Sequence, residues 1–356
     1  MTREIAFGLD SFGEVSVDPA GRPLSDAETV RLMIEEAVLA EAVGIDSFNI
    51  GEHYRQGMVD SAGHMILATI AGRTERIRLG TSVTVLSTRD PVRLYTEFAT
   101  LDAASNGRAQ LIVGRASSVE SFPLFGFDLD DYETLFEEKL DLFTRLLRDQ
   151  PVTWSGTVRP ALTDQYVGPA IAPGHIQTWV GVGGSPQSVI RAARYGLPLM
   201  LAIIGGSPQR FAPFVDLYKR ALTELGQPSL PIGVHSLGLV ARTDEEAQAA
   251  YRPHWESVFT MVSKERGFPP PTAGQYEREV ADGALFVGSP ETVARKIAAT
   301  ARDLSLGRFD LKYDIMHLPQ EQRRRTIELF GREVIPRVRE LLNASQAGER
   351  QTAARL

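Results

Sequence analysis

The chain of 356 residues contains no cysteine, which removes disulfides, thiolate metal sites and cysteine nucleophiles from consideration. No stretch approaches the roughly 18 apolar residues that a membrane-spanning helix needs, and the opening MTREIAFGLD has no charged-then-apolar leader pattern. Basic runs are missing apart from Arg323-Arg324-Arg325, and the net charge is −7, so the electrostatic footprint of a nucleic-acid binder is not expected. The six histidines, His53, His64, His175, His235, His254 and His317, include no H-x-H or H-x-x-x-H pair, which argues against a metal-dependent hydrolase. There is no G-x-S-x-G elbow and no G-x-G-x-x-G fingerprint after the first apolar run, where 8-GLDSFG-13 has the wrong spacing. The absences together lead us to expect a soluble, cytoplasmic protein whose partners are small molecules, with neither nucleic acid nor membrane among them.

What is present is a composition of 43% hydrophobic and 23% charged residues, enough for a sizeable packed core. The chain alternates short apolar runs with amphipathic ones. Strands are expected at Glu4 to Asp10, Ser47 to Glu52, Arg78 to Leu86, Ala109 to Val113, Gln177 to Gly183, Leu197 to Ile204, Pro231 to Ala241 and Phe309 to Leu318. Helices follow nearly every one, opened by Ser25 with Glu28, Asp90-Pro91, Ser185-Pro186, Ser207-Pro208, Thr243 with Glu246 and Ser289-Pro290. Eight βα repeats predict an α/β fold, a (β/α)8 TIM barrel, with an open doubly wound sheet as the runner-up. One domain is expected over residues 1–343, with insertions at about 116–130, 151–176 and 264–283 on the carboxyl side of the strands. Residues 344–356 read as a flexible tail.

In a barrel the chemistry collects at the carboxyl ends of strands, so those ends were searched. The second ends in 51-GEHYRQGMVDS-61, where His53 is either an acid/base group or a satisfied imidazole, and Glu52 either orients it or pairs with an arginine. The third carries the hydroxyl pair Thr81-Ser82, followed by Val83, and the fourth ends at Gly114-Arg115. The fifth runs into 181-GVGGSPQS-188, either an anion-binding turn in which glycines admit the ligand to a helix N-terminus or simply a strand-to-helix turn. A rival anion turn lies at 288-GSPE-291, where Glu291 would repel a phosphate. Phe12, Tyr54 and Phe122 are candidate pocket aromatics by loop position.

The segment 79-LGTSVTVLSTRDPVRLYTEFATLDAASNGRAQLIVGR-115 resembles the bacterial luciferase-like flavin-dependent monooxygenases, and the resemblance extends from the first strand to about residue 340. It implies the (β/α)8 fold and a flavin at the carboxyl ends of the strands, usually reduced FMN, less often the deazaflavin F420. It places a non-prolyl cis peptide at Ser82-Val83 facing the flavin, beside Thr81. It assigns the phosphate to Arg115 and Ser117, following Gly114, and to Ser185 and Ser188, beside Gly183 and Gly184. Glu52-His53 matches the family's Glu-His, with the histidine implicated in catalysis. Tyr54 stands where luciferase has a second histidine, Gly114 where it has a reactive cysteine, and Ala116 where relatives often have glycine, so light emission and an aldehyde substrate are not implied.

The activity so implied is an FMN-dependent monooxygenase. Reduced FMN, supplied by a separate flavin reductase, reacts with O2 to give a C4a-peroxide that oxygenates a small organic substrate, and a homodimer is expected. The alternatives are an F420-dependent hydride-transfer enzyme of the same fold and a non-catalytic flavin-binding protein.

Overall fold

A computed structural model of the protein describes residues 5–115, 119–172, 174–267 and 269–353. Eight parallel strands form a ring: β1 (Ala6–Ser11), β2 (Ser47–Ile50), β3 (Arg78–Thr81, resuming at Thr84–Val85), β4 (Gln110–Gly114), β5 (Gln177–Val182), β6 (Leu199–Ala202), β7 (Ile232–Val240) and β8 (Arg308–Lys312). β1 pairs with β2 and β8, and the pairing runs on through β7, β6, β5 and β4 to the second half of β3. A parallel bridge between Leu79 and Ala109 joins β3 to β4 at the other end, so the expected barrel is the one observed. A ninth parallel strand, Phe286–Gly288, pairs with the end of β7. It was not expected, because three residues are too short to show a period.

The local rules that position the helices act as the sequence indicates. Ser25 and Glu28 form a complete capping box at helix Asp26–Ala42. Asp90 accepts from the N–H groups of Val92 and Arg93, starting helix Pro91–Ala104. That helix ends before Asn106 and Gly107, both at positive φ. Residues 151–176 contain an antiparallel hairpin, Val152–Trp154 with Leu162–Gln165. Within 264–283, helix Asp244–Arg266 ends and a second helix, Gln275–Ala281, follows. The last helix runs Ile335–Ala353, so residues 344–353 are helical where the sequence reads as a tail. No helix among the described residues is long and apolar enough to cross a membrane.

Strand alternation separates two interiors. Phe7 and Leu9 of β1 join the apolar layer under the helices, whereas Gly8 and Asp10 belong to the other face of the strand, inside the ring. That inner space is unusually polar for a barrel, where branched aliphatics are the rule. Arg308 donates to Asp310, Gln110 and Asn49, and Asn49 donates to Asp10 at 2.7 Å. Such a network is stable only when its members are satisfied, and glycines make the room. A Cβ on Gly8 would stand 2.3 Å from Asp310 Oδ1, and one on Gly80 would stand 2.5 Å from Asn49 Oδ1.

Candidate active site

The carboxyl ends of β1 to β5 are successive neighbours around the ring, and they carry the residues singled out in the sequence. At the end of β2 the His53 ring Nδ1 lies 2.8 Å from Asp60 Oδ2, and the His53 backbone N–H donates to Asp60 Oδ1 at 3.1 Å. Asp60 thereby fixes the ring and its tautomer, leaving Nε2 to act. Burial pulls the His53 pKa down, but the hydrogen bond and charge of Asp60 outweigh it and leave the imidazole above its ordinary value. Gly51 makes the close approach possible, since a Cβ there would lie 2.7 Å from Asp60 Oδ2 and 2.8 Å from the Phe12 ring.

Phe12 is the hub of the aromatic wall. Its ring centroid lies 4.7 Å from that of His53 and 5.6 Å from that of His235, with which it stacks at 12°. The Lys312 ammonium sits 4.8 Å from the same ring and pairs with Glu14 and Asp314 in a fully buried cluster. Burial opposes ionisation of Asp314, but Lys312 and Arg323 hold it below the usual carboxylate range. Asp314 in turn accepts from Ser11 Oγ and the Phe12 N–H, fixing the end of β1.

Glu52 takes the second of the two roles open to it in the sequence. Its carboxylate accepts from Tyr54 Oη at 2.6 Å and from the Val85 N–H at 3.0 Å, and it pairs with Arg89 at 3.6 Å. Burial raises the Glu52 pKa, against the pull of Arg89. The ring of His53 is oriented by Asp60, not by Glu52. Tyr54 is partly exposed and packs edge-on against Phe125, whereas Phe122 is fully buried against Tyr132 and is not a free pocket wall.

The Ser82-Val83 peptide is cis, as the resemblance implies. Ser82 Oγ donates to Asp10 at 2.8 Å, and Asp10 also holds His235 through Nδ1. The Thr81 hydroxyl is used within the barrel, exchanging hydrogen bonds with the Ile112 backbone. The Val83 side chain packs against Ile112, Trp179 and Met200. It also explains two glycines, since a Cβ on Gly114 would come 2.7 Å from Val83 and one on Gly181 would come 2.9 Å from it.

Beyond Gly114, the Arg115 guanidinium pairs with Glu133 and lies over the Tyr132 ring. Arg191, from helix Pro186–Arg194, pairs with the same Glu133 at 2.9 Å and with Glu137. Ser185 occupies the N-cap position but does not cap: its hydroxyl donates to Gln187 at 2.9 Å, which corrects the expected capping role. Gly183 and Gly184 face open space, with nothing within 4 Å of a built Cβ. Ser188 Oγ and Arg191 Nη1 are buried without a partner among the described residues. Ser117 lies outside the described residues. At the rival turn, the Ser289 N–H and Thr292 Oγ1 are already bound by Asp244, at 2.6 and 2.9 Å, so the helix N-terminus there is filled from within.

Asp60, Asp10 and His235 were missed as site residues. Asp60 stands in the stretch that carries His53, but a loop gives no period from which to infer a contact, and Asp10 meets His235 across 225 residues.

The barrel, the Ser82-Val83 cis peptide and a histidine just past the second strand are the features that the resemblance implies. The family model described as luciferase-like monooxygenase matches residues 11–308, and the chain belongs to that family. The crystal structure of monooxygenase RslO1 from Streptomyces bottropensis is similar with a TM-score of 0.81 and 24% identity, covering 93% of this chain and 99% of that one. The oxygenating constituent of 3,6-diketocamphane monooxygenase from Pseudomonas putida, in complex with FMN, has a TM-score of 0.72 at 20% identity, covering 94% of this chain and 99% of that one. The F420-dependent glucose-6-phosphate dehydrogenase of Nocardia farcinica is 26% identical over 336 residues, 87% of this chain and 95% of that protein.

Proposed function

We propose that the protein is an FMN-dependent monooxygenase acting on a small organic substrate, with reduced flavin supplied by a separate reductase. The observation that carries this reading is the arrangement of one rim: His53 after β2, the cis Ser82-Val83 peptide in the break of β3, Arg115 after β4 and the Gly183-Gly184 turn after β5. The buried, unpartnered Ser188 Oγ and Arg191 Nη1, with the open space at the two glycines, fit the phosphate end of a flavin mononucleotide. When bound, reduced FMN with O2 supplies the oxygenating chemistry.

The chain's own residues contribute the rest. Asp60 holds His53 so that Nε2 can take or give a proton beside the reacting atoms. Phe12 keeps an apolar wall next to it, and Arg55 ties together the inserted segments around Glu120 and Glu265. The cytoplasm is the fitting compartment and a homodimer the fitting assembly.

The second reading, an F420-dependent hydride transfer, is favoured by the similarity to the Nocardia enzyme over most of both chains. A cofactor with an added acidic tail calls for a broad basic surface, and the net charge of −7 weighs against it. Dissociation constants for FMN, reduced FMN and F420, with O2 consumption followed for each reduced form, decide between them. Reduced FMN bound no better than F420 would sink the first reading. Arg115→Ala should weaken FMN much more than riboflavin, and His53→Ala should lower turnover roughly 10²- to 10⁴-fold with flavin binding retained.

A further inference from the structure

The two arginines beside the phosphate turn share one carboxylate. Glu133, at the start of helix Tyr132–Arg148, gives one oxygen to Arg115 and the other to Arg191, the latter at 2.9 Å. Arg115 follows β4 and Arg191 lies within helix Pro186–Arg194, and both are largely buried, whereas the Glu133 side chain is 60% exposed. A carboxylate spanning two guanidinium groups makes the same charge-assisted contacts that a phosphate would make there.

Glu133 does not saturate the site. Ser188 and Arg191 lie three residues apart on one helical face, and Ser188 Oγ and Arg191 Nη1 remain buried without a partner among the described residues. A phosphomonoester has three terminal oxygens where a carboxylate has two, so it can bridge both arginines and still reach a donor that Glu133 leaves over. Nor is Glu133 needed to hold Arg191, because Glu137 binds the Arg191 Nε and also takes Arg194 at 3.3 Å and Tyr195 Oη at 3.1 Å. Glu137 is the structural anchor of the helix pair. Glu133 is the member free to turn into solvent.

We propose that Glu133 is the resident anion of the flavin-phosphate pocket, a specificity-determining residue that the phosphomonoester must displace. The inference rests on the FMN reading above and deepens it. FMN gains the two arginines and loses the Glu133 contacts in one exchange, so its advantage over riboflavin is smaller than a pocket with two free arginines would give. A Glu133 that stays ionised next to the bound phosphate also repels it, which lowers that advantage further.

The test compares FMN and riboflavin dissociation constants, by quenching of flavin fluorescence, for the parent protein, Glu133→Gln, Glu133→Ser and Arg115→Ala, with inorganic phosphate as competitor. Both Glu133 variants should bind FMN at least tenfold more tightly with riboflavin unchanged, and inorganic phosphate should displace FMN from them at lower concentration than from the parent. FMN bound no more tightly by either variant, while Arg115→Ala still loses FMN selectively, overturns the role of Glu133 and leaves the phosphate assignment standing. FMN and riboflavin bound alike by the parent and by all three variants overturns the phosphate assignment and the inference with it.

Discussion

Asp60 grips His53 twice, at the backbone N–H and at ring Nδ1, so the loop between the two residues is a clamp on a single imidazole. This makes Asp60 a positioning residue. Asp60→Asn removes the charge that raises the His53 pKa while its amide oxygen can still accept one hydrogen bond, so burial, which lowers the pKa, is opposed more weakly, chiefly by Glu14 and Glu120. A step that needs neutral His53 as base appears as pH rises through the His53 pKa, so the acidic limb of the kcat/KM profile should lie above the ordinary histidine value in the parent and move to lower pH in Asp60→Asn. A limb that stays in place while only the maximal rate drops would deny Asp60 this role.

Glycines at the rim separate into two kinds with opposite expectations. Gly114 and Gly181 are tight against Val83, so Gly114→Ala should cost about 1 to 3 kcal/mol of stability through overpacking and should weaken flavin binding as Val83 moves. Gly183 has room, and Gly183→Ala should leave the melting temperature nearly unchanged. If a phosphate occupies that room, the same variant weakens FMN and spares riboflavin. Thermal denaturation together with the two flavin affinities checks both halves, and a Gly114→Ala protein as stable as its parent would show that the Val83 contact relaxes freely.

One arginine joins two inserted segments over the mouth. Arg55 lies 3.8 Å from Glu120, just before helix Ser121–Phe125, and it also pairs with Glu265 near the end of helix Asp244–Arg266. These pairs are partly solvated, so Arg55→Ala should change global stability by no more than about 1 kcal/mol. Local opening should increase, seen as faster amide exchange at residues 119–125 and 258–265 together. Faster exchange in one segment alone would mean that Arg55 does not couple them.

The barrel was legible because its determinants are local and periodic. Ser25 with Glu28, Asp90 with Pro91, and the apolar runs each act within a few residues, and each behaves as its pattern indicates. Placement of the candidate residues was legible only where a strand end is itself informative, as for His53 and Arg115, which lie just past the carboxyl ends of β2 and β4. What joins Asp10 to His235, Lys312 to Glu14, or Glu133 to Arg191 is closure of the ring, which brings together side chains 225, 298 and 58 residues apart. No spacing rule encodes such meetings. The same limit applies to Glu52, whose choice between histidine and arginine is decided by Arg89 on a neighbouring segment.

That choice gives Glu52 a distinct experimental signature. Its carboxylate is 5% exposed and holds the Val85 N–H, Tyr54 Oη and Arg89 together just past the third strand's break. Glu52→Ala removes these contacts at once, leaving a buried N–H without its acceptor and weakening the hold on Arg89, which keeps Glu97. We expect a loss of about 2 to 4 kcal/mol in unfolding free energy, measured by urea denaturation. Flavin affinity should fall with it, because Val83 sits two residues before Val85 and depends on the same backbone. Glu52→Gln retains an acceptor for Val85 and should recover much of the stability, and with it flavin binding. A direct acid/base role predicts the reverse pattern, in which Glu52→Gln folds and binds normally but turns over as poorly as His53→Ala. The comparison of these two variants therefore separates a brace from a reacting group without knowledge of the substrate.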